Sequence, residues 1–208
     1  MNRENGHRIT TIEQLRAIYG EPIPRVGLKV LKELDHNVVE FIARSPFIVL
    51  ATADADGNLD ASPKGDGPGF VAVEDSHTLL IPDRKGNRLL FGLANILANP
   101  NVAIIFMIPG TEETLRVNGV AELTSDPTVL SRLQARGLPA LSAIRVTVHE
   151  CFFHCAKAFI RSQLWDTEAR GEPYRVSFGR FFAEKFGGGE QTEREIDSAV
   201  AKDYKENL

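Results

Sequence analysis

Apolar residues follow two different periods along the chain, and the period changes near residue 46. Before that point they recur at helical spacing. A capping box of Thr11 and Gln14 precedes one short apolar series, and a longer series runs from Val30 to Ile42. Pro46 closes the second series, because helices usually end before a proline. The first 45 residues are therefore predicted to form a helical arm.

Beyond residue 46 the pattern is that of strands. Only two helical patterns, "NRLLFGLANILANP" from near Asn87 and "DPTVLSRLQARG", are inserted among apolar runs of strand length. Short turns favour antiparallel pairing, so we predict a mainly β fold, an antiparallel barrel of about six strands, rather than a doubly wound sheet. The strand segments are "FIVLAT", "LDASPK", "FVAVE", "TLLIP", "VAIIFMIP", "TLRVNGVAEL" and "SAIRVTVHECFF".

Helical patterns return after the last strand. "CAKAFIRSQLW" is predicted to be a helix that places Lys157, Arg161 and Trp165 on one face, four residues apart. A glycine run from Gly187 leads into a polar helix, which we expect on the surface or against a partner subunit. We predict a single domain, with a helical arm over residues 1–45, a barrel core over 46–165 and a C-terminal extension over 166–208.

Composition and charge narrow the class of protein. A net charge of −4 argues against nucleic-acid binding, which usually needs a broad basic face. The longest apolar segment, Val102 to Pro109, is much shorter than a membrane span. Two cysteines are too few for a secreted disulfide framework. We therefore expect a soluble, cytoplasmic protein with neither a nucleic-acid nor a membrane partner.

The stretch "HECFFHC" contains four residues of zinc-ligand type. On a strand, His149, Cys151 and Phe153 would point one way, while His154 and Cys155 would lie beyond a bend. Structural zinc sites usually draw on two separated ligand pairs, so we predict no metal and interpret the cysteines as buried and inert. The chain also lacks a nucleophile elbow, a P-loop and a dinucleotide fingerprint, so no catalytic residue is assigned.

Residues 83–88, "DRKGNR", carry three cations directly after the apolar run "TLLIP". A basic turn between a strand and a helix start has the elements of an anion site, since a helix N-terminus offers free N–H groups and partial positive charge. Charge clusters are also often merely solvated. Composition alone leaves both interpretations open.

Five segments from about Phe41 to Asp166 resemble, in order, the pyridoxamine 5′-phosphate oxidase-like FMN-binding split-barrel superfamily. They are similar in particular to a branch of FMN-dependent enzymes of unassigned substrate. The segments are "FIVLATADADGNLDASPKGDGPGFV", "TLLIPDRKGNR", "NILANPNVAIIFMIPG", "ETLRVNGVAEL" and "CFFHCAKAFIRSQLWD".

The resemblance implies a split barrel that forms a homodimer and binds FMN in a groove at the subunit interface. Arg84, Lys85 and Arg88 match the family's phosphate-binding turn, and Lys64 takes a position that is often arginine. The resemblance also implies polar contacts near the ribityl chain and phosphate from Ser62 and Asn87, and contacts to the polar edge of the ring from Thr114 and Arg116. The last segment would reach the groove near the interface, by one reading from the partner subunit, with Lys157, Arg161 and Trp165.

The implied function is an FMN-dependent oxidoreductase acting on a small-molecule redox substrate. The chain has no Arg-x-His element near its C-terminus, where the named oxidases bind the substrate phosphate, so we expect little or no pyridoxamine 5′-phosphate oxidase activity. Two alternatives stay open. One is a non-catalytic split barrel that holds flavin, F420 or haem, with His149 or His154 as the axial ligand of a haem. The other is an interaction domain with a solvated basic turn.

Overall fold

The computed structural model of the protein describes residues 7–86, 88–169 and 171–206. Within these residues the chain forms seven strands and eight helices. The strands are β1 (Phe47–Ala53), β2 (Leu59–Gly65), β3 (Ala72–Asp75), β4 (Thr78–Asp83), β5 (Asn101–Met107), β6 (Thr114–Thr124) and β7 (Ser142–His154). The helices are α1 (Ile12–Tyr19), α2 (Pro24–Gly27), α3 (His36–Arg44), α4 (Phe91–Ala98), α5 (Pro127–Arg132), α6 (Lys157–Ser162), α7 (Phe178–Phe186) and α8 (Glu190–Glu206).

All seven strands belong to one antiparallel sheet, in the order β2-β1-β5-β6-β7-β4-β3. The prediction of a mainly β split barrel with inserted helices is confirmed. The number of strands is seven rather than about six, and each of the seven predicted segments forms one of them. Side chains that alternate inward, such as Leu50, Ile104, Val117 and Ile144, are almost completely buried. No strand pair closes the sheet into a continuous barrel among the described residues. The inward face of the curved sheet therefore forms the core and leaves an open side.

The N-terminal arm is only partly as predicted. The capping box of Thr11 and Gln14 is present at the start of α1. The prediction of the longer helix is wrong over its first part. Leu31 exchanges two backbone hydrogen bonds of 2.9 Å with Cys151 and so forms an antiparallel bridge to β7. Helix α3 begins only after Asp35, whose carboxylate accepts a hydrogen bond from the backbone N–H of the third helical residue.

A β-bulge interrupts β7 opposite Gly119. The register shifts between the pairs Asn118–Glu150 and Gly119–Val148, which leaves His149 as the extra residue. Val148 is therefore buried and His149 exposed, while the residue two positions after His149 is buried again. The predicted alternation, with His149 and Cys151 on one face, is wrong because the bulge changes the phase of the strand.

Two helices differ in length from their predictions. Helix α4 begins at Phe91 rather than near Asn87, and Leu90 before it has a left-handed backbone with φ of 57°. Helix α6 ends at Ser162, because Gln163 has a left-handed backbone with φ of 51°. Trp165 therefore lies outside the helix and does not share a helical face with Lys157 and Arg161.

The C-terminal extension is a helical hairpin of α7 and α8. Asp197 of α8 accepts hydrogen bonds of 2.7 Å from the hydroxyl of Ser177 and from the backbone N–H of Gly179. The helices approach so closely that a Cβ atom on Gly179 would lie 2.1 Å from the carbonyl oxygen of Glu193. The polar helix predicted in the tail is α8. None of the helices in the described ranges has the length and apolar character needed to cross a bilayer.

Candidate anion and cofactor site

A cavity of about 430 Å³ opens where the sheet is not closed, between β2, the end of β4 and the start of α4. Three residues of the "DRKGNR" stretch, Asp83, Arg84 and Lys85, form part of its wall. The lining residues are Leu50, Asp60, Ala61, Ser62, Pro63, Lys64, Gly65, Asp66, Phe70, Pro82, Asp83, Arg84, Lys85, Leu89, Phe91, Gly92 and Leu93.

An ion pair between Lys64 and Asp83 crosses this cavity. Lys64 stands opposite the buried Ile48 in the β1–β2 ladder, so its side chain points inward. Its Nζ lies 2.7 Å from Oδ1 of Asp83, and the two side chains are only 13% and 8% exposed. Because β2 and β4 are not neighbours in the sheet, this pair joins the two sides that backbone hydrogen bonds leave open.

Arg84 is held by two contacts from different loops. Its Nε donates to Oδ2 of Asp66 at 3.1 Å, and its Nη1 donates to the carbonyl oxygen of Leu133 at 2.7 Å. The guanidinium plane is therefore oriented before any ligand binds, and part of its fork remains for other acceptors.

The charges that line the cavity balance. The cavity wall contains three cations, Lys64, Arg84 and Lys85. It also contains three carboxylates, those of Asp60, Asp66 and Asp83. We expected the cations to be available for a phosphate, but Asp83 and Asp66 already pair with two of them. The sequence signal for these partners was present, since each carboxylate lies within two residues of a cation in "PKGD" and "DRK". Their pairing across the cavity required the fold.

The structure brings four of the predicted residues to the cavity: Ser62, Lys64, Arg84 and Lys85. Ser62 lies two residues before Lys64 on the same strand face. Lys85 and Arg88 are exposed, and Arg88 is not part of the cavity wall. Asn87 lies outside the described residues.

Thr114 and Arg116 lie on the other face of the sheet. They alternate with Leu115 and Val117, which are fully buried in the core, so they point away from the cavity. The Nε of Arg116 is buried and has no hydrogen-bond partner among the described residues. A buried donor without a partner costs free energy, so this atom is a candidate for contact with a ligand or a second chain.

The predicted C-terminal residues are not part of the cavity wall either. Lys157 and Arg161 are exposed on α6. Trp165 stacks on Phe159, with 5.7 Å between ring centroids, and its Nε1 donates to the carbonyl oxygen of Thr111 at 2.8 Å. The known contacts of Trp165 are therefore structural. A single chain does not bring the predicted phosphate and ring contacts together.

The two cysteines differ in environment. Cys151 is fully buried, and its Sγ lies 3.3 Å from the carbonyl oxygen of Glu33. Burial, together with the nearby carboxylates of Asp35 and Glu150, raises the pKa of the Cys151 thiol from its usual 9.0 to about 11. Cys155 is exposed, so the prediction that both cysteines are buried is wrong. The described residues contain no cluster of three or more metal-ligating side chains.

The difference in burial between Cys151 and Cys155 predicts how many thiols of the native protein react quickly. At pH 8 a disulfide reagent is expected to modify one cysteine, Cys155, within minutes, because only thiolates that the reagent can reach react. Cys151 should react only after denaturation. A Cys155→Ser variant with no fast-reacting thiol would assign the reaction, and two fast thiols in the native protein would contradict the burial of Cys151.

A family model supports the fold from sequence alone. The model of the pyridoxamine 5′-phosphate oxidase family matches residues 34–155, which is more than half of the chain. The chain therefore belongs to this family. The matched region covers the whole sheet and stops before the C-terminal hairpin. No protein of curated function matches in a sequence comparison.

Solved structures with a similar fold have different descriptions. A protein from Lactobacillus delbrueckii is 25% identical, over 59% of this chain and 95% of its own, with a TM-score of 0.45. An F420 reductase is 22% identical, over 55% and 94%, with a TM-score of 0.39. The haem storage protein HutZ from Vibrio cholerae is 18% identical, over 57% and 93%, with a TM-score of 0.41.

Proposed function

We propose that the protein is an FMN-dependent oxidoreductase that binds FMN at the interface of a homodimer. The observation that carries this proposal is the cavity in which β2 and the turn after β4 bring together Ser62, Lys64, Arg84 and Lys85 beside the start of α4. FMN supplies the hydride or electron transfer when bound, and the protein supplies binding, orientation and electrostatics. Its substrate is a small redox-active molecule of unassigned identity.

The phosphate of FMN would be held by donors that the internal ion pairs leave available. Arg84 uses its Nε and Nη1 in protein contacts, which still leaves donors on the guanidinium. Lys85 is exposed at the cavity, and Ser62 offers a hydroxyl. Asp66 and Asp83 keep the cations in place while the site is empty and balance their charge.

Contact with the flavin ring would come from a second subunit. Arg116 carries a buried Nε that has no hydrogen-bond partner in the described part of the chain, on the face of the sheet opposite the cavity of its own chain. We assign Thr114 and Arg116 to the ring of a flavin bound at the partner's cavity, where a cation near the N1–C2=O edge stabilises the reduced ring. Lys157 and Arg161, exposed on α6, would contribute at the same interface. No general acid or base is assigned.

Two features of the surface support a second copy of this chain as the partner. The outer face of β2, β1 and β5 carries apolar side chains, namely Ala61, Pro63, Val49 and Ile105. A sheet face that is exposed to solvent usually carries polar side chains instead. The chain also exposes 14729 Å², whereas a compact monomer of its mass exposes about 9600 Å². The excess is large enough for an extensive interface.

The oligomeric state tests this part of the proposal. Light scattering is expected to give about twice the chain mass of 22.9 kDa. An Ala61→Glu substitution, on the exposed outer face of β2, should shift the mass toward the monomer because it places a charge in the apolar interface. The control is Leu97→Glu at an exposed position on α4, which should leave the mass unchanged. A monomeric parent protein would refute the interface.

The cofactor is tested by titrating the purified protein with FMN and riboflavin. Arg84→Ala is expected to weaken FMN by about tenfold or more while changing riboflavin little, because a charge-assisted hydrogen bond to phosphate contributes about 1.5–3 kcal/mol. Arg88→Ala is expected to have a similar selective effect, because Arg88 belongs to the same basic stretch. Arg132→Ala, which removes an exposed cation outside the cavity, is the matched control.

Equal losses for both ligands would place Arg84 away from the phosphate. The absorption spectrum of protein purified from cells separates the cofactor classes: flavin bands support the proposal, and a Soret band or the absorption of a deazaflavin overturns it.

The exposed free thiol of Cys155 suits a reducing compartment, so we propose that the protein is cytoplasmic.

A further inference from the structure

A second cavity, of about 400 Å³, adjoins the first at the basic turn. Gly65, Asp66, Arg84 and Lys85 line both cavities. The two spaces therefore meet at the residues that the proposed function assigns to a phosphate. A ligand whose phosphate lies at this junction has room on either side of it.

The walls of the second cavity are mostly apolar. Ala135, Leu138, Pro139 and Leu141 provide them, and Glu206 from the end of α8 lies at the same cavity. Leu138 and Leu141 are 67% and 63% exposed. Apolar side chains that line a concave site of this size are typical of a pocket for an uncharged ring or chain.

The loop that forms these walls is tied to the phosphate site. Nη1 of Arg84 donates to the carbonyl oxygen of Leu133 at 2.7 Å, and the backbone N–H of Leu141 donates to the carbonyl oxygen of Asp83 at 3.0 Å. Both ends of the loop are thus attached to the strand end and turn that carry the cations. The second cavity keeps a defined position relative to the first.

A third cation is added at the tip of this loop. Ala135 and Leu138 exchange backbone hydrogen bonds of 3.0 and 2.9 Å around a two-residue turn. Arg136 and Gly137 in that turn both have positive φ, 52° and 76°, as in a type I′ turn. Arginine is an unusual residue there, since it has a Cβ that glycine lacks. Arg136 makes none of the ion pairs found between described residues, and it lines the second cavity only.

We propose that the second cavity is a subsite for a group attached beyond the flavin phosphate, so that the protein accepts a dinucleotide flavin, FAD. This inference rests on the proposed function. The first phosphate lies at Arg84 and Lys85, the second phosphate lies toward Arg136, and the adenosine occupies the apolar space between Leu138 and Leu141. Each part of the ligand thus meets a part of the site with matching chemistry.

An acidic tail, such as that of a deazaflavin with carboxylates beyond its phosphate, fits this space less well. Arg84, Lys85 and Arg136 are used by the two phosphates in this arrangement, and apart from Asp66 and Glu206 the rest of the wall is apolar. Further carboxylates would face these like charges and an environment that cannot solvate them, both of which weaken binding. The uncharged adenine ring avoids these costs.

The test is calorimetric titration of the flavin-free full chain with riboflavin, FMN and FAD. We expect FAD to bind within about tenfold of FMN or more tightly. Arg136→Gly should weaken FAD by about tenfold or more, the loss of a charge-assisted contact, and change FMN by less than about twofold. Glycine suits the positive φ of this turn, so the variant is expected to fold at least as well as the parent.

A second variant tests the apolar wall. Leu138→Asp places a charge at an exposed position, so it leaves the core intact, and it should also weaken FAD selectively. Leu28→Asp is the matched control, because Leu28 is 79% exposed and lines neither cavity. FAD binding more than about tenfold weaker than FMN, or equal losses for both ligands in the two variants, overturns the subsite and leaves the FMN proposal standing. Failure of FMN to bind refutes the proposed function itself, and the subsite with it.

Discussion

Replacing Lys64 with alanine is expected to lower the free energy of unfolding by about 3–5 kcal/mol, because it leaves a buried carboxylate without its partner. Asp83 is only 6% exposed, and the Lys64 ammonium is 2.7 Å from it. The unpaired charge would have to be desolvated without compensation or become protonated on folding. Urea unfolding of the ligand-free protein measures the loss.

Two further variants separate the missing charge partner from the missing side chain. The double variant Lys64→Met with Asp83→Leu removes both charges and should recover most of the stability, since buried pairs are often replaceable by apolar residues. Lys32→Ala removes an exposed lysine that pairs with Glu150 at 3.6 Å, and it should change stability by less than about 1 kcal/mol. A loss below about 1 kcal/mol for Lys64→Ala would mean that Asp83 is hydrated or neutral in the folded protein.

The substitution Gly119→Ala is expected to destabilise the sheet by about 3 kcal/mol or more, at the upper end of overpacking costs. A Cβ atom there would lie 2.1 Å from the carbonyl oxygen of Thr147, beside the bulge at His149. The oxygen belongs to the backbone of the neighbouring strand, so the clash can be relieved only by moving the ladder between β6 and β7. Thermal or urea unfolding would show the change.

Gly27→Ala is the control for this substitution. No atom lies within 4 Å of a Cβ built on Gly27, and its φ is not positive. Alanine in helix α2 should therefore be neutral or stabilising by up to about 1 kcal/mol. A Gly119→Ala protein as stable as the parent would show that the strands separate easily at the bulge, and that glycine is not required there.

Much of the barrel was predictable because strands have a local signature. "FIVLAT" and "LDASPK", separated by an Asp-Gly turn, form β1 and β2 with the turn between Ala53 and Leu59. Helix α5 begins after Asp126 with proline at its first position, as its sequence predicted. The element boundaries that were wrong depend on contacts from elsewhere. Leu31 is extended because it pairs with Cys151, which is distant in the sequence.

The candidate site was predictable only in its cations. "DRKGNR" is recognisable as a basic turn after a strand, and Arg84 and Lys85 line the cavity. The second cavity has no comparable signature, since the turn with Arg136 and Leu138 is distant in sequence from Glu206, and all three look like ordinary surface residues. The apolar outer face of the sheet was equally hidden, because short apolar runs do not reveal which side faces solvent.

The amino-acid sequence by itself determined the mainly β fold, the family and the position of the basic turn, because these depend on residue periodicity and on local motifs. The tertiary structure alone decided that Lys64 meets Asp83 and Arg84 meets Asp66, and that Thr114 and Arg116 lie on the face opposite the cavity. Such contacts depend on how the open sheet curves and on where the bulge shifts its register. These are properties of strand packing across long sequence separations, which no local pattern encodes.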